Sequence, residues 1–97
     1  GEEKTFFDNG ALASIAEYDQ DKLHGSSCTW NREQILVFEA EYFEGMRHGK
    51  FCKYYDDGST YIEQFFAYDQ LHGKKCKYES AGEMTVSYYE AGRKTRR

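Results

Sequence analysis

The stretch from His48 to Gly58, "HGKFCKYYDDG", decides the fold. A His-Gly pair leads into a short run rich in Cys and Tyr, and Asp-Asp-Gly closes it. The same order begins "HGSSCTW" at 24–30 and "HGKKCKY" at 72–78. His24, His48 and His72 are 24 residues apart, and so are Cys28, Cys52 and Cys76. Phe6, Trp30, Tyr54 and Tyr78 keep this period, as do Tyr18, Tyr42 and Phe66. Gly10, Gly58 and Gly82 share one register, with Gln34 in the missing slot. A period held by several independent positions defines a repeat protein. The chain reads as a single domain, 1–97, of four repeats at approximately 4–25, 26–49, 50–73 and 74–97. The last is one residue short, with Thr95 where His would stand.

Each repeat carries two extended segments around a turn. "DNG" at 8–10, "DDG" at 56–58 and "SAG" at 80–82 suit a three-residue hairpin loop, with Gly in the left-handed position. The fold class expected is therefore all-β: an elongated antiparallel meander of about four 24-residue hairpins, or about eight strands. A regular three-residue loop pairs Phe6 with Leu12, Trp30 with Leu36, Tyr54 with Thr60 and Tyr78 with Met84. Carried down the strands it pairs Cys28 with Phe38, Cys52 with Ile62 and Cys76 with Val86, which makes one face apolar. The other face receives Ser27 with Glu39, Phe51 with Glu63, Lys53 with Tyr61 and Lys75 with Ser87, a mostly polar set. "NREQ" at 31–34 lacks the turn Gly, so the conformation of that turn stays open.

The composition agrees with strands: nine Tyr, seven Phe and no Pro. Four of the 13 basic residues fall in "RKTRR" at 93–97, leaving nine against 17 acids in the body. An acidic body argues against a nucleic-acid partner and against anionic membrane surfaces. No apolar run reaches the length of a membrane-spanning helix. Gly1 in place of Met is compatible with a removed signal peptide or a further domain, and the compartment stays open.

The signature stretches "FFDNGALASIAEY…KLHG", "AEYFEGMRHGKFCKYYDDG" and "LHGKKCKYESAG" resemble the MORN repeat, and more closely its bacterial variant, the YwqK-like, antitoxin-type family. The resemblance covers almost the whole chain. It implies an extended single-layer sheet used as a binding platform or spacer, and it carries no catalytic residue onto any position here.

His-x3-Cys suggests zinc on a helix, but on a strand the two side chains stand roughly 13 Å apart, too far for one ion. Equivalent cysteines lie two strands apart, roughly 9.5 Å, beyond disulfide reach. No metal ligand set and no cofactor are therefore assigned, and the thiols are expected to be free. No phosphate-cradling loop and no nucleophile motif with a positioned base is found, so the chain is read as non-enzymatic. Asp56 and Asp57 read as turn formers, and Glu39 and Glu41 as solvated. The candidate binding residues are Phe51, Tyr55, Tyr61 and Phe65 around the junction of repeats two and three, with Phe43 in the nearby turn.

The functional expectation is a module that binds a protein partner, with an antitoxin or immunity role implied by the resemblance alone. The alternatives are a spacer or accessory domain of a larger secreted or membrane-associated protein, or the repeat domain of an enzyme whose catalytic part lies elsewhere. A single-layer sheet with an apolar face and unpaired edge strands also makes a homodimer a live expectation.

Overall fold

The computed structural model describes residues 1–79 and 82–95. Ser80 and Ala81 of the fourth hairpin tip, and Arg96 and Arg97 of the basic tail, lie outside the described residues. The strands are β1 (Glu2–Phe6), β2 (Leu12–Asp19), β3 (Lys22–Trp30), β4 (Leu36–Phe43) and β5 (Met46–Tyr54), followed by β6 (Thr60–Ala67), β7 (Gln70–Leu71), β8 (Gly73–Tyr78), β9 (Met84–Glu90) and β10 (Arg93–Thr95). They form one antiparallel sheet in the order β1-β2-β3-β4-β5-β6-β8-β9-β10, with β7 also on β6. Its extents of 46 × 38 × 11 Å describe a slab one layer thick. The all-β hairpin meander expected from the period is the architecture observed.

Two kinds of turn alternate. The hairpin tips are three-residue loops, closed by Phe7 N–H to the Ala11 carbonyl and by Tyr55 N–H to the Ser59 carbonyl, both 2.8 Å. The tip lacking Gly adopts the same form: Asn31 N–H donates to the Ile35 carbonyl at 2.9 Å, and Gln34 takes a φ of 66°. Asn31 Oδ1 compensates by accepting from Glu33 N–H at 2.9 Å and Ile35 N–H at 3.0 Å. The hairpins are joined by two-residue turns with positive φ at both positions, as at Glu44–Gly45 and Tyr68–Asp69. Such turns match the right-handed twist of the strands they connect.

The pairs nearest the tips are those expected: Phe6 with Leu12, Trp30 with Leu36, Tyr54 with Thr60 and Tyr78 with Met84. Beyond them the register differs in three of four hairpins. A β-bulge inserts Ala13, Val37 or Tyr61 opposite the first strand, so Cys28 pairs with Glu39 and Cys52 with Glu63, not with Phe38 and Ile62. Ser27 then pairs with Ala40, Phe51 with Gln64 and Lys53 with Ile62, correcting the expected polar face. In the fourth hairpin, which has no bulge, Cys76 pairs with Val86 and Lys75 with Ser87 as expected. The residue missing from the last repeat is its bulge residue.

The consequence is two mixed faces. On one, a straight row runs from Ile15 through Cys28, Glu39, Cys52 and Glu63 to Cys76. The other gathers Phe38, Phe51 and Phe66, with ring centroids 5.1 Å and 5.2 Å apart in successive T-shaped contacts. Arg47 lies over this group, 4.3 Å from the Phe66 centroid, and its Nε bonds Asp69 Oδ1 at 2.7 Å. A single layer buries only what neighbouring side chains can cover: among the described residues, Ala40, Cys52, Gln64, Phe66 and Cys76.

Candidate interaction surface

The His-Gly pair is the local device that shapes this surface. Gly25 and Gly49 have φ of 104° and 112°, and each lies beside a carboxylate from the preceding strand. Glu17 Oε1 accepts from Ser26 N–H at 2.7 Å, and Glu41 Oε1 from Lys50 N–H at 2.8 Å. A Cβ on Gly49 would meet Glu41 Oε1 at 2.8 Å, so another residue here would displace the Glu41 carboxylate as well as strain the backbone at φ 112°. In the third repeat Phe65 stands where Glu17 and Glu41 stand. Nothing lies within 4 Å of a Cβ on Gly73, and the strand is interrupted there into β7 and β8.

The histidines reach across to the next two-residue turn. His24 Nδ1 accepts from Glu44 N–H at 3.3 Å, and His48 Nδ1 from Tyr68 N–H at 3.1 Å. The rings pack at a tilt against the aromatics beside those turns, with centroids 5.3 Å apart for His24 and Phe43, 6.0 Å for Phe43 and His48, and 4.5 Å for His48 and Tyr68. Phe43 stays 39% exposed and Tyr68 61%. The result is a continuous aromatic margin along the line of inter-hairpin turns, on the Cys–Glu side of the sheet.

The five residues singled out from sequence do not form one cluster. Phe43 is the centre of this margin. Phe65, 40% exposed, is on the same face, paired in register with Lys50. Phe51 is on the opposite face, half-buried between Phe38 and Phe66. Tyr55 ties two repeats together by donating its hydroxyl to the Tyr78 carbonyl at 2.6 Å, and its ring lies 5.1 Å from Tyr61. Tyr61 is itself a bulge residue, with Lys77 Nζ 5.9 Å from its ring. Sequence reasoning missed Tyr68, His24 and His48 as surface partners of Phe43. The available signal was Tyr68 itself, an aromatic in a turn slot that holds Gln20 and Glu44 in earlier repeats.

Two recesses lie elsewhere, on the Cys–Glu row and at the hairpin tips. A recess of about 230 Å³ between Ser26, Cys28, Glu39 and Lys50 sits on the row. There burial pushes the Cys28 thiol up, with Glu39 and Glu17 adding to it. Burial raises the Cys52 thiol as well, and burial together with a bond to Glu39 raises the Tyr54 hydroxyl. Protonated thiols are poor nucleophiles and poor metal ligands. An open cleft of about 770 Å³ at the tips is lined by Tyr55, Asp56, Asp57 and Glu79. Asp57 is held below the usual carboxylate range by the side chain and backbone of Ser59, which marks it as a turn lock.

No family model, curated protein or solved structure matches this chain. The class defined by the fold and the surface is thus a single-layer hairpin-repeat β-protein with an aromatic margin.

Proposed function

We propose that this chain is a non-catalytic, MORN-like binding module that engages a protein partner through the aromatic margin of His24, Phe43, His48 and Tyr68. The observation that carries this reading is the holding of Phe43 and Tyr68 outward by two buttressing histidines, where a solvated turn would need neither. Rigid, exposed aromatics of this kind supply much of the energy of protein interfaces. The non-catalytic reading is supported by where the reactive groups are spent. Glu17 and Glu41 bond backbone amides, Asp69 bonds Arg47, and Cys28 and Cys52 are held as neutral thiols. The resemblance to the bacterial MORN variant favours an antitoxin- or immunity-type partner. The regular thin slab favours, as a second reading, a spacer or accessory domain.

The test is affinity capture from the native host with the wild type and a Phe43→Ser/Tyr68→Ser variant. Loss of two interface anchors of about 2 kcal/mol each weakens binding by more than about 100-fold. A partner retained equally by both proteins overturns the assignment of the margin.

A further inference from the structure

The sheet sorts its charges by side. In β4–β8 the strand carboxylates are Glu39, Glu41 and Glu63, and all stand on the Cys–Glu side. The opposite side of the same strands carries Arg47, Lys53, Lys75 and Lys77. There Lys53, Ile62 and Lys77 follow one another across the sheet in a straight row, and Lys75 lies two residues from Lys77 on β8. Three of these cations sit against rings of that side: Arg47 on Phe66 at 4.3 Å, Lys75 on Tyr89 at 5.8 Å and Lys77 on Tyr61 at 5.9 Å. A ring beneath a cation holds it over the sheet without neutralising it.

Few acids answer these charges. Asp69 bonds Arg47 at 2.7 Å, and Glu79 Oε1 is 4.0 Å from Lys77 Nζ. Among the described residues neither Lys53 nor Lys75 has an ion-pair partner. Glu3 shares this side, but it lies on β1, four strands from β5 in the sheet order. Lys75 and Lys77 stand roughly 7 Å apart along β8, and Lys53 and Lys77 roughly 9.5 Å apart across two strand spacings. The first spacing is that of alternate side chains on an extended peptide, so carboxylates at alternate positions meet both lysines.

We propose that the patch of Lys53, Lys75 and Lys77 docks an extended acidic segment of a partner protein, laid along β8 with carboxylates at alternate residues. Two observations favour such a segment over other polyanions. Tyr61 is taken by Lys77 and Tyr55, and Tyr89 by Lys75, so neither ring is a free platform for stacking bases. The chain has 17 acids against 13 bases, and a nucleic acid or anionic bilayer reaching beyond the patch meets that excess. A short acidic segment meets the patch alone. Exposed ion pairs make the contact weak and sensitive to salt. The aromatic margin is on the other side of the sheet, so this is a second surface, independent of the partner proposed above.

The test is fluorescence anisotropy of a labelled peptide of alternating Glu and Thr, titrated with the full chain at low and high salt. The expected result is saturable binding at low salt that weakens at high salt. Lys75→Glu/Lys77→Glu is expected to weaken it by about tenfold or more. Lys50→Glu/Lys74→Glu makes the same change in net charge on the Cys–Glu side, and is expected to shift the affinity by no more than about twofold. Far-UV circular dichroism checks that both fold. Lys53→Ala, which only shortens an exposed side chain, is expected to weaken binding by about threefold. Phe43→Ser/Tyr68→Ser is expected to bind the peptide as the wild type does, so failure of the margin and failure of the patch read separately. Absence of saturable binding, an equal loss from the two charge reversals, or an affinity unchanged by Lys53→Ala overturns the proposal. So does tighter binding of oligouridine or of phosphatidylserine vesicles than of the peptide, which assigns the patch to a nucleic acid or a membrane.

Discussion

Replacing Gly49 and Gly73 by Ala separates two costs that the His-Gly pair carries. Both glycines have a left-handed φ, 112° and 94°. An L-residue forced into such a conformation costs about 1–2 kcal/mol. At Gly73 a new Cβ meets nothing within 4 Å, so Gly73→Ala pays that cost alone. At Gly49 the Cβ would come to 2.8 Å from Glu41 Oε1, and Glu41 must give up its bond to Lys50 N–H. A charge-assisted bond of this kind at an exposed site adds about 1 kcal/mol. Gly49→Ala is therefore expected to destabilise by about 2–3 kcal/mol and Gly73→Ala by about 1–2. Urea unfolding followed by far-UV circular dichroism measures both. A Glu41→Ala background completes a double-mutant cycle. With the carboxylate gone, the cost of Gly49→Ala is expected to fall to that of Gly73→Ala, a coupling of about 1 kcal/mol. Equal costs for the two glycines in the wild-type background, or a coupling near zero, would refute the carboxylate clamp as the reason for the glycine.

Gln34→Gly is expected to stabilise the chain by about 0.5–1 kcal/mol in the same unfolding assay, because Gln34 holds a φ of 66° that Gly adopts without strain. Burial raises the Cys28 and Cys52 thiols above their ordinary value of 9.0, so the folded chain holds those protons more tightly than the unfolded one. Their contribution to stability is complete below the unfolded value and is lost as pH rises through the folded values. The melting temperature of Cys28→Ala/Cys52→Ala is accordingly expected to decline less steeply than that of the wild type above about pH 9. The opposite holds in acid: bonds from Arg47 and from Ser59 hold Asp69 and Asp57 low. Their stabilisation is present above about pH 4 and lost as pH falls through the folded values, so Asp57→Asn/Asp69→Asn is expected to flatten the acid limb of the same melting profile.

The repeats, strands and tips were legible because a 24-residue period links positions of strong local meaning, such as Asp-Asp-Gly at 56–58. The form of the 31–34 turn was not, because Asn31 supplies by side-chain bonds what Gln34 lacks as a left-handed residue. The register failed at Ala13, Val37 and Tyr61, since none is a residue type that announces a bulge. The aromatic margin was half legible. Phe43 stood out as an aromatic near a turn, but its contacts with His24, His48 and Tyr68 depend on how successive turns line up across the sheet.

The missing residue of the last repeat ties these points together. In repeats two and three the bulge carries Phe38 and Ile62 across to the face of Phe51 and Phe66, and it brings Glu39 and Glu63 into the row beside the thiols. Without a bulge in the fourth hairpin, the equivalent apolar residue, Val86, stays in the row. Met84 and Tyr88 share its face by alternation, so β9 presents three exposed apolar side chains on one side, with Val86 in the slot that Glu39 and Glu63 fill on β4 and β6. β9 has lost the bulge, and its exposed residues Met84, Val86 and Tyr88 are uncharged. One residue fewer in the last repeat thus accounts both for the pairing of Cys76 with Val86 and for the apolar side chains that β9 exposes.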